Sequence, residues 1–183
     1  MPHRFPGAER TRLRDEQRMA IQPAGELIGR MSPHPDEICA DLGSGTGYIA
    51  VPLARSTSKV IALDVQREML EALLDHADGQ ENIEPVIADV ARLPLADASV
   101  DRVVLVNVLH EVENAERMID CVNKALKPGG RISVVDFPRR PTAMGPPVEE
   151  RIEPDDAVGM FPGFRVVGRW ELTEYYQIEL KGA

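Results

Sequence analysis

The chain has 183 residues, 43% of them hydrophobic and 28% charged, with a formal charge of −9. That length and apolar content bury a core of single-domain size, and the acidic balance argues against broad electrostatic capture of nucleic acid. Cys39 and Cys121 have neither metal-ligand spacing nor a disulfide framework, no apolar run reaches the length of a membrane span, and the first eighteen residues lack the apolar segment of a secretory leader. The expectation is one cytoplasmic domain with no membrane or nucleic-acid partner and no bound metal.

Residues 8–20 and 24–31 have the spacing of two short helices. The next stretch, Ala40-Asp41-Leu42-Gly43-Ser44-Gly45-Thr46-Gly47, reads as a buried strand that ends in a glycine loop opening a helix. Three glycines in five positions allow a tight turn and close approach to a ligand, and amides at a helix start can face its polar atoms. Lys59 to Asp64 is a second strand closed by an acid, about twenty residues past the first glycine, where nucleotide folds place a ribose-binding carboxylate. Met69, Leu70, Leu73, Leu74 and Ala77 then mark one face of a covering helix. Ile83 to Ala88 is a third strand, closed by Asp89, whose carboxylate can accept from an exocyclic amine such as that of adenine or can cap the next turn.

Asp101 to Asn107 carries four consecutive apolar residues, the pattern of a parallel strand buried on both faces. Met118, Ile119, Val122, Ala125 and Leu126 form the stripe of another helix, ended by Lys127-Pro128-Gly129-Gly130, and Arg131 to Asp136 is a fifth strand. Six prolines between Phe137 and Gly163 leave room for one short helix, Asp155 to Met160, in a long surface loop. Arg165 to Glu171 and Tyr175 to Leu180 form a terminal hairpin. Alternating strands and helices with right-handed crossovers predict an α/β, doubly wound Rossmann-like sheet with its ligand crevice at the carboxyl ends of the strands. Residues 1–35 would supply amino-terminal helices and a lid, 36–136 the cofactor core, and 137–183 the substrate loop and hairpin.

The glycine loop, Asp64, the segment Ala88-Asp89-Val90-Ala91-Arg92-Leu93-Pro94-Leu95 and the turn Leu126-Lys127-Pro128-Gly129-Gly130 together resemble the class I S-adenosylmethionine-dependent methyltransferases. The chain looks most like compact small-molecule members related to quinone-biosynthesis C-methyltransferases. The resemblance implies a seven-stranded sheet in the order 3-2-1-4-5-7-6, its last strand antiparallel. It implies S-adenosylmethionine as cofactor and S-adenosylhomocysteine as product. The methionine part would lie against Asp41, Gly43, Ser44 and Gly45, with Gly47 completing the loop. Asp64 would take the ribose hydroxyls, Val65 the adenine face, Asp89 and the Val90 amide the adenine edge, and Asn107 the methionine chain.

Alignment of acceptor, methyl carbon and sulfur in a dry site supplies much of the acceleration of methyl transfer, and a base is needed only when the acceptor is protonated. His110, after the fourth strand, has an intrinsic pKa suited to that role, with Glu111 as second candidate; a packing or capping role for His110 is the alternative. The sequence lacks an Asn-Pro-Pro-Tyr motif after Asn107, a cation-holding Asp-Asn pair after the fifth strand, and the cysteine set of arsenite methyltransferases. A small or medium-sized metabolite is the expected acceptor, selected by the amino-terminal helices and the Pro-rich loop; homo-oligomerisation is left open. Two other readings stand: a non-catalytic cofactor-binding regulator or scaffold, and an NAD-dependent dehydrogenase, whose fingerprint Gly45, Gly47 and Ala50 would meet. The segments predicted to close over the crevice are residues 2–6, with His3, Arg4 and Phe5, and the loop Arg139 to Pro147.

Overall fold

The computed structural model describes residues 16–183. The element order is α1 (Glu16–Ile21), α2 (Ala24–Met31), β1 (Ile38–Leu42), α3 (Ala50–Ala54), β2 (Lys59–Asp64), α4 (Arg67–Ala77), β3 (Ile83–Ile87), β4 (Val100–Val106), α5 (Ala115–Ala125), β5 (Leu126–Asp136), α6 (Pro154–Gly159), β6 (Arg165–Glu171) and β7 (Tyr176–Lys181). The seven strands form one sheet in the order β3-β2-β1-β4-β5-β7-β6. β1 to β5 run parallel, and β7 pairs antiparallel with both β5 and β6. The expected topology is therefore the observed one.

Side chains of successive strand residues point to opposite faces, so each central strand feeds two cores. Val104 and Val106 of β4 join the cluster under α2, α3 and α4, whereas Val103 and Leu105 join the cluster under α5 and α6. Burying both faces explains why β4 reads as a continuous apolar run. At the amino end of the sheet the wholly buried Arg102 donates to Glu37 at 2.9 Å, to Glu179 at 3.0 Å and to the Ser133 hydroxyl at 3.0 Å. Pairing a buried cation this completely offsets its desolvation.

Three expectations are corrected. The glycine loop does not open directly into a helix: residues 43–49 are turns, and α3 starts only at Ala50 and lasts five residues. Pro52 lies in the middle of α3 and lacks the amide that a longer helix would need. Leu126 is not on the α5 stripe, and Lys127 to Gly130 are not a separate turn, because β5 already begins at Leu126. The chain end holds that segment extended, with the Gly129 amide donating to the Ala183 carbonyl at 2.9 Å and the Gly182 amide to the Gly130 carbonyl at 2.9 Å. Lys127 pairs with Asp101 at 2.8 Å instead of facing a helix terminus. Of the predicted helix at 8–20, the structure describes Glu16–Ile21 as helical; residues 8–15 and the predicted lid residues His3, Arg4 and Phe5 lie outside the described residues.

Candidate active site

Residues at or just beyond the carboxyl ends of the five parallel strands line one cavity of about 660 Å³. Its floor is the loop after β1. Gly43 and Ser44 donate their amides to the Leu63 carbonyl at 2.8 and 2.9 Å, which folds the loop back over β2. Gly43 has φ +69°, and a Cβ there would meet Val108 Cγ2 at 2.5 Å, so both backbone and space require glycine. Gly47, at φ +82°, is held close to α4 instead: its missing Cβ would stand 2.9 Å from Leu73 Cγ. The cavity is lined by Gly43, Ser44, Gly45 and Thr46 but not by Gly47.

Asp41 is 2% exposed, and its Oδ2 has no hydrogen-bond partner; the Ser44 and Thr46 hydroxyls beside it are likewise buried without one. Burial pushes the Asp41 carboxyl up to about 7; Arg18 acts against that and Asp64 adds to it. Native interiors seldom leave such atoms unmatched, so three of them, one at the end of β1 and two on the glycine loop that follows, fit a polar, positively charged ligand group. Asp64 ties the loop to β2: its Oδ2 accepts from the Gly45 amide at 2.9 Å and its Oδ1 from the Gln66 amide at 2.9 Å. A carboxylate oxygen carries two lone pairs, so a strand-end carboxylate of this kind can accept from hydroxyls as well as from amides.

Val65, next in chain, is an apolar residue left 39% exposed on the cavity wall, a surface suited to a flat ring. Asp89 and Val90 line the same wall. Asp89 also caps its turn, with Oδ1 accepting from the Ala91 amide at 2.8 Å. Asn107 has a left-handed backbone, φ +59°, and exchanges two amide hydrogen bonds with Gln22 at 2.8 and 3.1 Å. That pair locks the end of β4 to the joint between α1 and α2. Gln22 is wholly buried, and its carbonyl accepts from the Tyr48 hydroxyl at 2.7 Å, while the Arg18 guanidinium lies 4.3 Å from the Tyr48 ring centre. The Gln22–Asn107 pair, Arg18 and Tyr48 were not foreseen from sequence.

His110 and Glu111 meet the cavity from the short turn after β4, and Phe137 from the end of β5. His110 is 9% exposed and its Nδ1 lies 2.6 Å from Asp136 Oδ1, the carboxylate that ends β5. Asp136 is wholly buried and also accepts from the Phe137 amide at 2.8 Å. Burial alone would lower the His110 pKa, but the Asp136 charge and hydrogen bond, with Glu111 and Glu150, raise it above the ordinary histidine value. The loop after β5 roofs the site through Ala143 to Pro147, and Arg151 holds it from beneath, donating to the carbonyls of Pro146 at 2.8 Å and Pro138 at 3.4 Å and to the Thr142 hydroxyl at 2.7 Å. Gln17 of α1 reaches the Ala143 carbonyl at 3.3 Å across the top. Among the described residues no cluster of His, Cys, Asp and Glu could hold a metal, and no helix is long and apolar enough to cross a membrane.

The model of the methyltransferase domain family matches residues 40–134, just over half of the chain. A ubiquinone/menaquinone biosynthesis C-methyltransferase of Acidiphilium cryptum is 33% identical over 130 residues, covering 69% of this chain and 52% of that protein. A malonyl-[acyl-carrier protein] O-methyltransferase of Methylococcus capsulatus is 34% identical over 112 residues, covering 60% of this chain and 40% of that protein. The chain thus spans about half the length of the curated relatives it matches. Among solved structures, a SAM-dependent methyltransferase from Aquifex aeolicus superposes with a TM-score of 0.90 over 98% of this chain and 100% of its own, at 21% identity, which shows a shared fold. With the match spanning the glycine loop and the ends of β2, β3 and β4, this chain belongs to the methyltransferase domain family.

Proposed function

We propose that this chain transfers a methyl group from S-adenosylmethionine to a small or medium-sized metabolite. The observation that carries the reading is the buried Asp41 carboxylate oxygen at the end of β1 and the Ser44 and Thr46 hydroxyls of the loop that follows, all unpartnered and lining the same cavity as Asp64 and Val65. When bound, the cofactor supplies an already activated methyl group on a sulfonium. Asp41, Ser44 and the loop amides would hold its methionine end, Asp64 the ribose hydroxyls, Val65 the adenine face, and Asp89 with the Val90 amide the adenine edge. Asn107, pinned by Gln22, would fix the height of the methionine chain beneath the acceptor. The roof at Ala143 to Pro147 would keep water from the reacting atoms.

A dinucleotide reading is weaker on the same geometry. The middle glycine of its fingerprint, Gly47, packs on Leu73 and Val51, where a pyrophosphate would need an open backbone. A binding-only role is weaker because a buried His110–Asp136 pair, with His110 lining the cavity, has no use in holding the cofactor. The test is a methyl-transfer screen: the protein is incubated with S-adenosylmethionine and a fractionated metabolite pool, and products heavier by one methylene are sought by mass spectrometry. Cofactor-dependent appearance of one such product supports the assignment, and its absence from every fraction, with S-adenosylhomocysteine bound tightly, favours the binding-only role.

A further inference from the structure

The methyl-transfer reading leaves open what the acceptor must be, and the acceptor side of the cavity narrows it. His110 approaches from the turn after β4 and Asp136 from the end of β5, 26 residues apart in sequence, so the sheet itself brings them together. The 2.6 Å contact is made by Nδ1, and the His110 backbone amide also donates to Asp136 Oδ2, at 3.3 Å. The ring bond orients the imidazole, and the backbone bond holds the turn against the same buried carboxylate. With the Nδ1 proton donated to Asp136, the lone pair of the neutral ring is on Nε2, the tautomer a base requires. Nε2 stands 3.8 Å from Glu111 Oε1, too far for a direct bond, and His110 lines the cavity. The walls around this end are Phe137, whose ring meets that of His110 edge-on at 6.2 Å, together with Met144 and Pro146. The acids are Glu111 and Glu113 in the lining, with Glu150 near enough to act on the histidine charge; the cation Arg18 stands over Tyr48 at the glycine-loop end.

We infer that His110, positioned by Asp136, is the base that removes the proton from a weakly acidic hydroxyl of the acceptor, a neutral phenol or enol. This rests on the methyl-transfer reading. The apolar, ring-lined wall suits a flat neutral body, and the three glutamates disfavour a carboxylate or phosphate ester. An aliphatic alcohol is too weak an acid for an imidazole, whereas a phenol near 10 is within reach of a base whose own value is raised. In the step, the O–H proton passes to His110 Nε2 as the oxygen forms a bond to the methyl carbon. The carbon–sulfur bond breaks, and its electron pair returns to sulfur. The products are a methyl ether, a neutral thioether and an imidazolium, and the imidazolium proton leaves to water. Asp136 is a positioning residue: it touches no substrate, fixes the tautomer and stabilises the imidazolium. The groups that set the pH response of His110 are Asp136, Glu111 and Glu150, and the Asp136 charge also reaches Arg151 and Tyr176.

The experiment compares the wild-type protein with D136N and H110Q on two acceptors at about pH 8: hydroquinone, whose hydroxyls are un-ionised there, and pentafluorophenol, which is already ionised and needs no base; because the glutamates weaken binding of the anion, each loss is read as a ratio to wild type in kcat at saturating acceptor. S-adenosylhomocysteine formation is followed by chromatography, and calorimetry gives its dissociation constant for each variant. The expected result is a loss of about 100-fold on hydroquinone in both variants, within the usual range for a general base. On pentafluorophenol the loss should stay below about 3-fold, since no proton is moved. Binding of S-adenosylhomocysteine should be unchanged, and the wild-type rate on hydroquinone should fall as pH drops through a value above the ordinary histidine one. Equal losses on both phenols, or a wild-type protein that binds S-adenosylhomocysteine yet methylates neither, overturn the inference. A wild-type protein that does not bind S-adenosylhomocysteine would sink the methyl-transfer reading instead.

Discussion

Replacing Asp41 by Asn should stabilise the ligand-free protein while weakening cofactor binding. Asp41 is 2% exposed, its Oδ2 is unpartnered, and burial pushes its pKa from 3.8 to about 7. At about 1.4 kcal/mol per unit, holding the ionised form in the folded state costs roughly 4 kcal/mol. The sign follows from proton counts. Below the unfolded value near 3.8 both states are protonated and the acid costs nothing extra. Between about 4 and about 7 the folded state still holds a proton that the unfolded state has lost, so wild-type stability declines as pH rises. Above about 7 the loss is complete. The neutral amide does not titrate, so the advantage of D41N in urea-unfolding free energy should grow from pH 4.5 to 7.5 and level off at about 2 to 4 kcal/mol, the lower figure allowing for a still imperfectly bonded amide. A stability difference that is flat across this range, or a wild-type protein that gains on the variant toward high pH, would refute the account of Asp41 as a desolvated acid. Calorimetry should show the same variant binding S-adenosylmethionine at least about 10-fold more weakly, for want of a charge-assisted partner.

Three further outcomes follow from the same geometry. Asp64→Ala should cost on the order of 2 to 3 kcal/mol of cofactor binding, read by calorimetry; because Asp64 also anchors the Gly45 and Gln66 amides, Asp64→Asn, which keeps one acceptor, should lose less. Gly43→Ala should destabilise the protein by about 2 to 4 kcal/mol, from its left-handed backbone and the 2.5 Å approach to Val108, and adding Val108→Ala should recover part of that in denaturant unfolding. Arg151→Met should remove the side-chain donor of the Pro146 carbonyl and the longer bond to the Pro138 carbonyl, and amides of residues 139–147 should then exchange with deuterium faster, with little change in β1 to β4.

The ends of β1 to β4 were legible because each strand is a largely apolar run of five to seven residues with a polar or glycine residue at or just past its end. Asp64 and Asp89 stood out for that reason, and both line the cavity. Asp136 ends β5 in the same way, yet its use depends on a histidine 26 residues earlier, and no local pattern encodes that distance. The Gln22–Asn107 pair spans 85 residues and was invisible for the same reason. Gly47 looked like part of a ligand loop because the sequence shows only that a side chain is missing; what fills the space, Leu73 of α4, is a tertiary fact. The start of β5 was misread because Lys127-Pro128-Gly129-Gly130 carries strong helix-stop signals, while the pairing that extends it comes from residues 182 and 183.

The most direct measurement is an isothermal titration of the protein with S-adenosylhomocysteine, S-adenosylmethionine and NAD under one set of conditions. Saturable one-site binding of the two adenosyl compounds, abolished by Asp64→Ala, with no saturable heat from NAD, is the predicted result. Saturable NAD binding without a response to either adenosyl compound would contradict the account.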